Sequence, residues 1–287
     1  MMLRGDAGDT MNECFSSAFP VHLKDVCSNS DTCAMTFDHI VRHVGSVPHM
    51  TPERGRLLYD FLRRSQPDNV LELGFAHGTS SCYIAAAMQE NGTGRLLTID
   101  HERARARNPN IFSLLEKTKL GSFVEPVFCP RTYTWELMRL LDEQTKEGRT
   151  EPLFDFVFID GGHTWDSDGF AFMLVDRLLK PGGWVLFDDV LWTPAQSKGE
   201  PWVDELTEEE RNTAHIDKVF KLLVIPHGGY HDFQFDGTWA WARKKPDTGN
   251  EHRAIDKETL EAIYRTTRSV RRLNLMRRYL RKLFRLS

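Results

Sequence analysis

Apolar positions along the chain follow two rhythms. Short, mostly apolar runs at 70–73, 95–100, 123–128, 154–160 and 184–189 are bounded by glycine, proline or charge, and read as buried strands. Between them, in 81–88, 111–120, 135–141 and 170–179, apolar residues recur at the spacing of one helical face. Residues 37–44 predict a short helix, and Thr51-Pro52-Glu53 a helix start. There Thr51 is the N-cap, Pro52 takes the first helical position and Glu53 faces the positive helix end. Leu57, Leu58, Phe61 and Leu62 then share a face. Residues 145–150 read as a charged loop, and Lys180-Pro181-Gly182-Gly183 as a sharp turn. Two further strands, 219–225 and 238–243, are expected to form a closing hairpin through His227-Gly228-Gly229-Tyr230. Strands alternating with helices predict an α/β fold, with a mostly parallel sheet covered on both faces.

Residues 1–35 are polar and irregular, so 1–66 reads as an arm plus a helical cap. The sheet domain runs over 67–245, with a long acidic insertion at about 192–215 that reads as a lid. Residues 246–287 read as a C-terminal basic amphipathic helix.

Composition changes this picture little. The 287 residues are 40% hydrophobic and 27% charged, ordinary for a globular protein. A net charge of −4 gives no global reason to expect nucleic acid. The average conceals an asymmetry, because 263–287 holds nine basic residues and no acidic one. Nine of the 37 basic residues lie there, which leaves 28 against 41 acidic ones and a body near −13. With Leu273, Met276, Leu280, Leu283 and Phe284 at helical spacing, that segment could lie on an anionic membrane, grip RNA, or pack on an acidic surface. The five cysteines include no CxxC pair, and the first residues hold no apolar run. A reduced, cytoplasmic protein without a secretory signal is expected. No apolar stretch is long enough to span a membrane.

The candidate chemistry begins at VLELGFAHGTSS, residues 70–81. Gly74 and Gly78 let backbone approach a ligand closely. The Gly-x-Gly-x-x-Gly spacing of dinucleotide binders is absent, and Glu72 disfavours a diphosphate beside it, so a positively charged cofactor suits the loop better. The plain alternative is an ordinary strand–helix turn with a solvent-facing glutamate. Asp100, Asp160 and Asp188–Asp189 all end strands, and parallel sheets bind ligands at strand carboxyl ends.

Together VLELGFAHGTSS, LLTIDHE, FVFIDGGH and KPGGWVLFDDV resemble the class I S-adenosylmethionine-dependent methyltransferases, over about residues 47–190. The resemblance is to the metal-dependent O-methyltransferase branch, which includes catechol O-methyltransferase and the macrolide and sugar enzymes. It implies a Rossmann-like, seven-stranded sheet. Glu72, Gly74, Phe75, Ala76 and Gly78 would line the methionine half of the cofactor, and Ser80 its carboxylate at a helix N-terminus. Asp100 would accept the ribose hydroxyls, His101 would flank the adenine, and Arg131 and Thr132 would lie at the adenine edge. Met50 would approach the methyl group, and Asp160 would border the cofactor.

Three carboxylates at one point repel unless protonated or bridged by a cation, so Asp160, Asp188 and Asp189 are candidate ligands for a hard divalent cation, Mg²⁺ or Ca²⁺. The alternative is that Asp188–Asp189 only cap a loop. His163, three residues after Asp160, occupies the spacing of the histidine in the macrolide-sugar relatives and resembles a general base. His163 and Asp160 are thus the candidate catalytic pair, and His227 and His231 are expected as wall residues. The implied activity is methyl transfer to a hydroxyl of a small natural product, a sugar or polyketide, by a homo-oligomer. Trp192, Trp202, Tyr230, Phe233 and Phe235 are available to contact such an acceptor. The rival readings are an RNA methyltransferase gripping its substrate through 263–287, and a non-catalytic cofactor-binding scaffold.

Overall fold

The computed structural model describes residues 37–197 and 199–246. Five parallel strands form its centre: β1 (Asn69–Leu73), β2 (Arg95–His101), β3 (Val124–Cys129), β4 (Phe154–Ile159) and β5 (Leu179–Phe187). Two antiparallel strands, β6 (Tyr230–Asp236) and β7 (Trp239–Lys244), extend it to seven in the order β3-β2-β1-β4-β5-β7-β6. The expected Rossmann-like, mostly parallel sheet is present. β1 pairs with β2 on one side and β4 on the other, so the winding reverses there. That reversal opens a crevice at the strand carboxyl ends.

Strand alternation feeds two cores. Leu71, Leu73, Val157, Ile159, Val185 and Phe187 join Leu137 of α5 (Tyr133–Gln144) and Phe172 and Val175 of α6 (Trp165–Leu178). From the opposite face, Phe156 and Trp241 pack on Phe61 of α2 (Pro52–Ser65), with ring centroids 5.3 and 4.8 Å away. Helix α1 (Phe37–Val44) precedes α2, whose N-cap is Thr51, as predicted. After β1, α3 (Thr79–Asn91) is buried from Thr79 through Met88. Helix α4 (Ile111–Thr118) follows β2.

The structure corrects three local expectations. Residues 219–225 are helical, not a strand: a helix at His215–Val219 continues through a π-turn at Phe220–Val224. Ile216, Val219, Phe220 and Val224 are the buried positions, a helical period hidden by β-branched composition. The closing hairpin therefore pairs β6 with β7 around Gly237-Thr238. Lys180–Gly183 lies inside β5, with a register irregularity opposite Phe154–Phe156 in place of the expected turn. Residues 145–150 form a small two-stranded ribbon, and the lid region holds short helices at Pro201–Asp204 and Glu208–Asn212.

Among the described residues no helix is long and apolar enough to cross a membrane. Cys82 and Cys129 are buried free thiols. The arm expected at 1–35 and the basic segment 263–287 lie outside the described residues.

Candidate active site

A cavity of about 800 Å³ lies at the carboxyl ends of β1, β2, β4 and β5, roofed by residues 45–54. Gly74, Phe75, Ala76, Ser80, Asp100, His101, Arg131, Thr132, Asp160, His163, Asp188 and Asp189 all line it, so positions far apart in the sequence meet at one cavity. Met50 joins them.

On the β1–β2 side the loop is held by its own carboxylate. Asp100 accepts hydrogen bonds from the amides of Phe75 (3.0 Å) and Ala76 (2.6 Å). Gly74 has a φ of +86°, and a Cβ there would collide with the Asp160 carbonyl oxygen. Only glycine lets the β1 and β4 loops approach so closely. His77 is tied by its ring Nδ1 to the carbonyl of Pro109 (2.6 Å).

Two predicted cofactor residues do not line the cavity. Glu72 is fully buried behind the loop and accepts from the hydroxyls of Ser81 and Thr98. Burial pushes its carboxyl up to about 7, against the pull of those hydroxyls. Gly78 caps α3 in a left-handed conformation and packs on Ile111. Both shape the loop from beneath.

On the β4–β5 side negative charge accumulates. Burial raises Asp160 well above the carboxylate range, and Asp188 and Asp189 push it further. Asp189 is raised by burial and by Asp188. The His163 Nε2 lies 3.7 Å from Asp160 Oδ1 and 3.6 Å from Asp189 Oδ2. One ligand atom from each of Asp160, His163 and Asp189 falls within 4.8 Å of the others. Asp188 lines the same cavity and raises both neighbouring carboxyls, but its own oxygen is engaged elsewhere. Its Oδ1 accepts from Thr238 (3.2 Å) and faces the Arg54 guanidinium (3.6 Å), which in turn stacks over Trp239. The donor set, carboxylate oxygens with one imidazole and more negative charge than Arg54 balances, fits a hard divalent cation.

His227 and His231 are not among the lining residues. β6 runs antiparallel to β7, so its first residue, Tyr230, pairs with Lys244 at the sheet end remote from the cavity. His227 instead packs on Phe172 and faces Asp176. Trp202, Tyr230, Phe233 and Phe235 also fall outside the lining, whereas the Trp192 ring lies 5.4 Å from that of His163.

The sequence reading missed Arg54, His49, Arg107, Tyr133 and Ser167, all on the cavity wall. Burial and then Arg107 lower the His49 imidazole. It also missed Asp168, buried on the inward stripe of α6 with Ala171, Phe172 and Val175. A carboxylate on an apolar helical stripe was the available signal for a buried partner.

A protein-family model described as a methyltransferase domain matches residues 71–190. The chain is 27% identical over 211 residues to a caffeoyl-CoA O-methyltransferase from Stellaria longipes, covering 72% of this chain and 78% of that protein. It is 25% identical over 184 residues to a catechol O-methyltransferase from Niastella koreensis, covering 63% and 76%. The fold is similar to that of an O-methyltransferase from Bacillus cereus solved with S-adenosylhomocysteine, at a TM-score of 0.51 and 19% identity over 78% of this chain and 95% of that one.

Proposed function

We propose that this chain is a class I S-adenosylmethionine-dependent O-methyltransferase and that it methylates a hydroxyl of a small natural product, such as a sugar or polyketide, with the help of a divalent cation. The observation that carries the reading is the meeting of Asp160, His163 and Asp189 within 4.8 Å beside the loop that Asp100 holds.

Each residue then has a task. Asp100 keeps the 74–76 loop in place and still has lone pairs to accept from ribose hydroxyls. Ser80, in the first turn of α3, faces the cofactor's carboxylate at the positive helix end. Phe75, Ala76, His101, Arg131 and Thr132 enclose the remainder of the cofactor. His163 Nε2 takes the acceptor's proton as its oxygen attacks. Asp160 and Asp189 would hold the cation, probed as Mg²⁺, with Asp188 adding negative charge beside them. When bound, S-adenosylmethionine supplies a methyl on a sulfonium sulfur, and the cation acidifies and orients the acceptor hydroxyl. The cavity walls supply the rest of the rate by fixing oxygen against methyl. The buried free thiols Cys82 and Cys129 support a reducing, cytoplasmic location.

The test is formation of S-adenosylhomocysteine by the purified chain across a panel of hydroxylated sugars and polyketides, with Mg²⁺ or with EDTA. Turnover that needs Mg²⁺ supports the reading. Equal turnover in EDTA removes the cation, and transfer only to RNA removes the small-molecule acceptor.

A further inference from the structure

The loop that carries His163 is held by a buried latch. His163 sits at a φ of +52°, a left-handed conformation uncommon for a non-glycine residue. The backbone here is anchored by Asp168. Its Oδ2 accepts from the His163 amide (2.7 Å), and its Oδ1 accepts from the Gly162 amide (3.3 Å) and from the Tyr133 hydroxyl. Tyr133 Oη also accepts from the Gly162 amide (3.1 Å) and contacts Ser167 Oγ (2.6 Å). A Cβ on Gly161 would sit 2.5 Å from Tyr133 Oη, so the loop is pressed against this ring. The latch has a firm base: Asp168 is 1% exposed, and the start of α6 is pinned where the Trp165 amide donates to His215 Nδ1 (3.1 Å).

We propose that Asp168, with Tyr133, is a positioning residue that fixes the backbone of residues 162–163 and so aims the His163 imidazole at the acceptor. It touches neither acceptor nor cofactor and acts through His163. The proposal rests on the reading of His163 as the proton acceptor. In Asp168→Asn the side chain has the same shape but one oxygen becomes an N–H donor. Either the His163 amide or the Gly162–Tyr133 pair then loses its acceptor.

Two measurements test this on the full-length protein. In hydrogen exchange read by mass spectrometry, Asp168→Asn is expected to speed exchange of the peptide covering 161–164 at least tenfold while β1 and β4 are unchanged. Tyr133→Phe, which leaves Asp168 both amides, should show a smaller change. In turnover, Asp168→Asn should lower kcat at least tenfold with KM for S-adenosylmethionine within twofold, and cost nothing further in a His163→Ala background. Unchanged exchange at 161–164, exchange accelerated throughout the sheet, or an equal kcat loss with and without His163 would each overturn the proposal. Full activity in His163→Ala with local deprotection in Asp168→Asn would remove the base assignment and leave the latch standing.

Discussion

On the β1–β2 side of the cavity the carboxylates hold local structure in place, although Glu72 Oε1 is buried without a hydrogen-bond partner among the described residues. Asp100 takes two loop amides, and Glu72 takes two hydroxyls out of reach of solvent. On the β4–β5 side, Asp160, Asp188 and Asp189 crowd together with one guanidinium and one imidazole for balance. The first side is pre-organised to bind: Asp100 holds the loop after β1 still, and Glu72 ties α3 to β2 through Ser81 and Thr98. The second keeps an excess of charge, which only a proton, a cation or a reacting group relieves. Binding and chemistry should therefore separate under mutation.

The largest separation is expected at His163. His163→Ala should lower kcat by ~10²–10⁴-fold, the range for losing a general base. Calorimetry should find S-adenosylhomocysteine affinity within about twofold of the native value; a parallel loss of affinity would merge the two sides.

Glu72 tests the binding side through stability. Its carboxyl titrates near 7 in the folded chain and near 4.5 in the unfolded one. Between those pH values the folded state holds the extra proton, so stability from this group is complete below about 4.5 and lost as pH rises through 7. Glu72→Gln, which keeps the shape without the charge, should match the native protein near pH 4.5 and exceed it by about 3 kcal/mol above pH 7, at about 1.4 kcal/mol per pKa unit. Denaturant melts across this range would check it, and parallel curves for the two proteins would exclude an ionising Glu72.

Asp189→Asn should weaken Mn²⁺ binding, followed by electron paramagnetic resonance, by about 10–100-fold, with a matching loss of Mg²⁺-dependent turnover. If His163→Ala weakens Mn²⁺ equally, His163 is a ligand and not a base. The smallest effect is expected at Asp100. Asp100→Asn should weaken cofactor binding by roughly tenfold, the cost of one charge-assisted hydrogen bond, and leave Mn²⁺ binding untouched.

The strand ends were readable because a buried strand that stops at a carboxylate is a local pattern. Asp100, Asp160, Asp188 and Asp189 could each be marked from a few neighbours, and the parallel sheet then brings them to one edge. The helix at 215–224 was not readable in that way, since valine, leucine and isoleucine suit both periods and only the packing of Ile216, Val219, Phe220 and Val224 decides. Nor was the placing of His227 and His231, which follows from the direction of the antiparallel hairpin.

The sequence by itself determined the alternation of the five parallel strands with their helices, the glycine loop after β1 and the identity of the converging acids. Those depend on short-range periodicity and on backbone conformations that glycine and proline restrict. Tertiary structure alone decided how the acids divide. Arg54 reaches Asp188 across 134 positions of sequence, and Glu72 withdraws behind the loop it seemed to line. Tyr133 and Asp168, from two different helices, meet under His163. Which charge meets which partner depends on distances across the packed core, and no local pattern records them.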